Sequence, residues 1–273
     1  MLRSLTDHLF IQLHPERVAA QRWSGLMRQR NDAEAIIAIE PHHPPHWPAA
    51  TNALKTTLEQ PGLRATRASI VLSSQLTKLR IVPWYWQLRE NERVALARHE
   101  FVKVYGASCM DSQITIGDGG VGKPGLACAV EPALIDSITE TCNASGIRHV
   151  SIKPYLTVIF NHWRKRLNPD GAWLILKEAG LLTIVFVQSG IWRTVRTLPC
   201  DHDSSMTLEI ALAREALLLG IEASGFTVYF FCDTAAETKP ELPAPFRIEI
   251  LTPPVLPRWR IFDSGSLALT AAT

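Results

Sequence analysis

The chain has 273 residues, of which 47% are hydrophobic and 20% charged, enough to build a real core in one large domain or two small ones. A formal net charge of +2 is too small to point to nucleic acid or an anionic membrane surface as a partner. No apolar run approaches the roughly 20 residues that span a bilayer, and polar residues interrupt MLRSLTDHLFIQLHPERV too often for a signal peptide, so a cytoplasmic location is expected.

His8–Leu13 and Arg17–Trp23 are short strand candidates joined by His14-Pro15-Glu16, and Ala35–Glu40 is a third apolar run; the three read as a β-meander. PHHPPHWP (41–48) is a breaker-rich loop whose prolines keep its histidines off a regular helical face. Ala49–Gln60 predicts a short helix, Ala68–Ser73 a strand, and Leu76–Pro83 a half-buried strand. Asn91–Tyr105 has the spacing of an amphipathic helix, with Gly106 after it. Between Pro83 and Trp86 lies an aromatic cluster, PWYW, which packs if buried and anchors a partner if exposed.

Gln113–Ile116 and Leu126–Val130 read as strands on either side of a glycine loop. Glu131–Asn143 predicts a helix with Pro132 in its first turn. Ile147–Lys153 comes next as a strand and Pro154–Arg166 as a helix with a basic end. After the Asn168–Gly171 turn come three strands in quick succession, 172–177, 181–188 and 191–198, with Ser189-Gly190 as a tight turn. A helix over 204–220 and strands over 227–232 and 247–251 complete the pattern, and the proline-rich remainder reads as an irregular tail. Three strands followed by a helix occur twice, so the fold class is mixed α/β with an internal duplication.

Gly117–Lys123 matches G-x-x-x-x-G-K, the opening of a phosphate-binding P-loop. Its context disagrees. Pro124 stands where Ser or Thr would hold Mg²⁺, and it carries no amide hydrogen. The next segment, GLACAV, is an apolar run of strand length, not a helix. The loop therefore reads as a hairpin connection, and a P-loop NTPase using Lys123 is the weakest functional reading of this chain.

Other candidate chemistry is thin. The five cysteines (Cys109, Cys128, Cys142, Cys200, Cys232) are widely spaced with no C-x-x-C pair, and read as free thiols. Asp201-His202-Asp203 is a polar loop cluster beside Cys200, with no orienting or oxyanion motif to make a nucleophile of that thiol. Asn161–Arg166 (NHWRKR) reads as a helix C-terminus that complements its dipole.

The order of elements resembles the actin-like ATPase fold in its PilM and GspL versions, cytoplasmic proteins of type IV pilus and type II secretion assembly platforms. The likeness is carried by ASIVLSSQLTKLRIVPW (68–84), read as the strand, hairpin and turn opening an inserted subdomain, by the helix Arg89–Tyr105, by LACAVEPALIDSITETCNASGIRHVSIKPYLTVIF (126–160), and by GAWLILKEAGLLTIVFVQSGIWRTVRTLP (171–199). It implies a duplicated actin-like, ribonuclease H-like fold with an inserted small α+β subdomain. The implied division is 1–66 for the start of the first half, 67–130 for the insert, 131–166 for completion of the first half, 167–252 for the second half, and 253–273 for the tail.

Active members of the superfamily hold Mg-ATP between two D-x-G hairpins. Here the first is LHPER, with no Asp or Gly, and the second is Glu178-Ala179-Gly180, which keeps the glycine and lengthens the acid. The extra methylene displaces the carboxylate by ~1.5 Å, where catalytic geometry tolerates about 0.5 Å. No glycine-rich adenosine loop stands near Gly220–Phe226. The resemblance thus implies a pseudo-ATPase scaffold with no catalytic residues, no bound metal and no obligate cofactor; Glu178 and Gly180 are the candidate nucleotide contacts if ATP and Mg²⁺ bind at all. GspL-type chains continue into a transmembrane helix and this one does not, so the expected arrangement is PilM-like. The implied partner is a membrane-anchored PilN-like protein, docking through its N-terminal cytoplasmic segment between the insert and the first half, with an assembly ATPase as a further contact. The chain would sit at the inner membrane through its partners, and Trp84, Tyr85 and Trp86 are the candidate partner-binding residues. The alternative is an actin-like Mg-ATP hydrolase in which Glu178 replaces the metal-organising Asp.

Overall fold

The alternation of β1 (His8–His14) places Leu9, Ile11 and Leu13 on one face, where they are fully buried, and His8, Phe10, Gln12 and His14 on the other. β2 (Arg17–Ser24) and β3 (Arg30–Ala38) extend the sheet antiparallel. The α1 helix (Trp47–Leu58) buries Ala50, Leu54 and Leu58 and leads into β4 (Arg67–Leu72), which runs parallel to β1. The computed structural model describes residues 7–24, 30–40, 47–117, 119–200, 205–232 and 240–252.

The chain then leaves the first sheet. β5 (Lys78–Val82), α2 (Glu90–Tyr105), a short 3₁₀ turn at Ala107–Cys109, β6 (Gln113–Ile116) and β7 (Gly125–Val130) form a separate unit, with a sheet of order β5-β7-β6 and α2 packed on it through Ala97 and Phe101. Tyr105 donates to the Leu79 carbonyl (3.4 Å), and Arg80 pairs with Glu100 (3.6 Å), which fastens α2 to β5. The chain returns through α3 (Pro132–Ala144), which starts with proline in its first turn, to β8 (His149–Pro154), parallel to β4. The α4 helix (Tyr155–Trp163) closes the first half.

The second half repeats the first. β9 (Ala172–Glu178), β10 (Leu181–Gln188) and β11 (Ile191–Pro199) form a meander, α5 (Ser205–Leu219) crosses over, and β12 (Thr227–Cys232) and β13 (Ile248–Leu251) add in parallel. The two five-stranded sheets have orders β3-β2-β1-β4-β8 and β11-β10-β9-β12-β13. Each is third, second, first, fourth, fifth strand of its own half, so the duplication expected from the sequence is present in the topology. The turn between β10 and β11 uses positive φ at Ser189 (53°) and Gly190 (71°), the mirror-image turn whose twist suits a hairpin.

One boundary differs from the sequence reading. Residues 68–84 were expected to open the insert as a strand and hairpin. β4 instead lies between β1 and β8, with every residue after Arg67 buried, and belongs to the first sheet. A strand covered on both faces needs a continuous apolar run, which ASIVL supplies. The small sheet therefore begins at Lys78, and residues 73–77 cross from one sheet to the other.

The halves share a core. Leu9, Ile11, Ile70, Leu134 and Ile138 belong to one buried cluster with Leu174, Val185, Tyr229 and Phe231. The α4 helix helps to join them: Tyr155 meets Phe231 edge-on at 6.0 Å, and Phe160 stacks at a tilt on Trp192 at 4.3 Å. A second cluster, around Trp173, Ile184, Phe186 and Phe230, lies on the outer face of the second sheet under α5. Arg166, expected inside a helix, lies beyond the end of α4 and pairs with Glu249 on β13.

Candidate functional site

The two hairpins singled out by the sequence follow β1 and β9, and residues 73–77 touch the end of β1 and the second hairpin. In the first, Pro15 has no N–H to offer, and the Glu16 N–H donates to His14 Nδ1 (3.1 Å). His14 is buried. The Glu16 carbonyl accepts from the Ile39 N–H (2.7 Å), which ties the turn to the segment after β3.

In the second, the alternation along β9 decides which way Glu178 faces. Ala172, Leu174 and Leu176 point into the core shared with the first half, so Glu178, at the same parity, points there too. Its side chain is 2% exposed. Both carboxylate oxygens accept from the backbone N–H of Ser74, at 3.2 and 3.0 Å. The Gln75 side-chain amide donates to the Ala179 carbonyl next to it. Gly180 takes φ 68°, which only glycine adopts cheaply, and its carbonyl accepts from the Cys200 N–H (3.1 Å).

Residues 73–77, between β4 and β5, are built to meet that hairpin. The Ser73 N–H donates to the Leu13 carbonyl (3.0 Å), the Leu76 N–H to the Ser73 carbonyl (3.0 Å), and the Gln75 N–H to Ser73 Oγ (3.2 Å). The turn thus satisfies its own amides and presents that of Ser74 to Glu178. Ser74 and Gln75 were not singled out from the sequence; the polar break SSQ in a long apolar stretch is the signal that marks them. Pro15 offers no N–H, the His14 ring accepts from the Glu16 N–H, and the Glu178 carboxylate and the Ala179 carbonyl are both engaged by the 73–77 turn. Among the described residues, no group of three or more His, Cys, Asp or Glu is placed to hold a metal ion.

On the same face of the first sheet, His8 Nε2 lies 2.9 Å from Ser69 Oγ, and Lys153 is buried on β8. Burial lowers the His8 pKa to about 4, and the charges of Arg67 and Lys153 add to the effect. The ring is neutral when folded and protonates near its ordinary pKa of 6.5 when unfolded, so the unfolded chain binds more protons between those values. Stability is therefore expected to be full above about pH 6.5 and to fall as pH drops toward about 4. Denaturant midpoints across that range check this: His8→Gln should flatten the slope, and an unchanged slope refutes it.

The aromatic candidates lie elsewhere. β5 enters the small sheet from the first half at Lys78, and β7 leaves it at Val130, so Val82, Ile116 and Gly125 mark its far end. Trp84, Tyr85 and Trp86 stand at that end, away from the hairpins. Arg93 of α2 covers the Trp84 ring at 4.4 Å, while Trp86 is 82% exposed. The glycine loop is at the same end and joins two antiparallel strands: the Gly117 N–H donates to the Leu126 carbonyl (2.8 Å), and β7 begins directly after the loop. Lys123 thus sits in a hairpin loop with no helix after it. Asp118, the histidines of 41–46, and Asp201, His202 and Asp203 lie outside the described residues. The five cysteines form no disulfide, and burial pushes up the thiols of Cys128 and Cys142, the latter to about 12.

No protein-family model and no curated protein matches the chain by sequence. Solved structures match it by fold. One is a Bacteroides thetaiotaomicron protein with an actin-like ATPase fold and unknown function, at TM-score 0.58 and 9% identity over 85% of this chain and 84% of that one. Another is the cytoplasmic domain of EpsL, an inner-membrane component of the Vibrio cholerae type II secretion system, at 0.56 and 11% over 90% of each chain. A third is a PilM–PilN type IV pilus biogenesis complex, at 0.59 and 14% over 83% of this chain and 81% of that one. Identities this low establish a shared fold, the duplicated actin-like architecture found above.

Proposed function

We propose that this chain is a non-hydrolysing actin-like scaffold that docks a segment of a membrane-anchored partner of the PilN kind at an inner-membrane assembly platform. The observation that carries the first part is the seating of Glu178: the position of a metal-organising acid is used as an acceptor for the Ser74 amide, so the hairpin holds the two halves together. The fold shared with PilM and the EpsL cytoplasmic domain supports the second part. Binding energy, not bond chemistry, is then the output.

Among the described residues, no helix is long and apolar enough to cross a membrane, and the proposal places the chain at the cytoplasmic face through its partner. The exposed Tyr85 and Trp86 supply the anchor, since aromatic side chains carry much of the energy at such interfaces. The contact with an assembly ATPase expected from the resemblance belongs to the same proposal.

Calorimetric titration of the full chain with Mg-ATP tests the scaffold reading and is expected to give no binding heat. Micromolar binding overturns it. Loss of such binding in Glu178→Ala then favours the actin-like hydrolase, and loss in Lys123→Ala favours a P-loop. For docking, Trp86→Ala is expected to weaken binding of the partner's cytoplasmic segment by about 30-fold, the cost of losing a 2 kcal/mol anchor. Its melting temperature should stay that of the wild type, because an exposed side chain adds little to folding. Unchanged affinity would move the docking surface off the aromatic loop.

A further inference from the structure

The α5 helix has an apolar face that the described residues leave exposed. Its inner side packs Leu208, Ala211, Leu212 and Ala216 on the second core. Its outer side carries Met206 (69% exposed), Ile210 (62%), Ala213 and Leu217 (82%). These four fall at steps of four, three and four, the a/d seam of a coiled coil.

Among the described residues, the first half has no such apolar face. In the first half α1 lies beside α3, both packed into one core, and the exposed residues within α1 are Asn52, Lys55 and Thr56. In the second half the counterpart of α3 would fall between β12 and β13, where the described residues, 240–247, form no helix. Thus α5 has the place of α1, and the described residues between β12 and β13 set no helix beside it. The α1 and α3 helices run the same way, because each leads into one of two parallel strands, β4 and β8.

The charges on α5 point to what takes that place. With Ile210 at a, Glu209 is at g and Arg214 at e of the following heptad. Within the helix neither has an opposite charge three or four residues away, and no ion pair joins either of them to another described residue. In a parallel pair of identical helices, g of one strand meets e of the other, so Glu209 reaches Arg214 of the second copy twice around the two-fold axis. An antiparallel pair sets g against g and e against e instead, so Glu209 of one copy does not meet Arg214 of the other.

We infer that a second copy of this chain lays its α5 parallel to this one along Met206, Ile210, Ala213 and Leu217, giving a symmetric dimer. Sedimentation equilibrium of the full chain tests this, and a concentration-dependent dimer is expected. Leu217→Glu should weaken it at least tenfold with an unchanged melting temperature. Glu209→Arg should weaken it about tenfold, and Glu209→Arg with Arg214→Glu should restore it. Under oxidation Ile210→Cys should cross-link to itself while the wild type does not, because a positions face each other only in the parallel pair. A chain that stays monomeric at every concentration overturns the inference. So does a dimer indifferent to Leu217→Glu, or one in which Ile210→Cys fails to cross-link.

Discussion

Glu178→Ala is expected to lower the unfolding free energy by about 2–4 kcal/mol, which in a chain of this size lowers the melting temperature by roughly 10 °C. The carboxylate is the acceptor for a buried backbone N–H, that of Ser74, and its removal leaves that donor without a partner in a dry site. Glu178→Gln keeps one acceptor oxygen at the same reach and should lose less than half as much. Glu178→Asp is the instructive variant. It keeps the charge and pulls the acceptor back by ~1.5 Å from contacts of 3.0 and 3.2 Å, beyond hydrogen-bond distance. Aspartate should therefore resemble alanine in stability. Hydrogen exchange at the Ser74 amide separates this from a general loosening: protection should vanish in the alanine and aspartate variants and persist in the glutamine one. Equal protection in all of them would mean that the carboxylate does not hold the turn.

That contact also marks the limit of what the sequence alone reveals. Glu178 and Ser74 are separated by 104 positions, and no local pattern couples them. The β9–β10–β11 meander is legible because its periods are short and its turns are punctuated by Ala179-Gly180 and Ser189-Gly190. β3 begins five residues before the expected Ala35, since Arg30 and Asn31 continue the pairing with β2 while offering no apolar signal. Whether residues 68–82 form a hairpin or a crossover is not settled by two apolar runs with a polar break; burial of β4 on both faces decides it. For α5 the seam residues are visible in SMTLEIALAREALLL, but the inner and outer faces are both apolar, so periodicity cannot say which one is covered.

Trp173→Ala is expected to have the largest effect on stability, a loss of about 3–5 kcal/mol. Trp173 is fully buried at the start of β9. Its ring lies 4.6 Å from Phe186, its partner across the strand pair, and Phe186 in turn meets Phe226 at 4.9 Å. Its indole N–H donates to the Ala223 carbonyl (3.1 Å), which the alanine variant leaves without that donor. The damage falls in the second core, which belongs to the second half alone. Its consequence should reach further, because β9 turns Trp173 toward α5 and Leu174, Leu176 and Glu178 toward the first half. The same strand therefore belongs to both cores, and the variant should still unfold in one transition at a lower temperature. Amide exchange at Ile184, under α5, and at Ile70, in the centre of the first sheet, should accelerate together. Accelerated exchange at Ile184 with Ile70 unchanged would show that the halves are stable separately and that the shared core does not couple them.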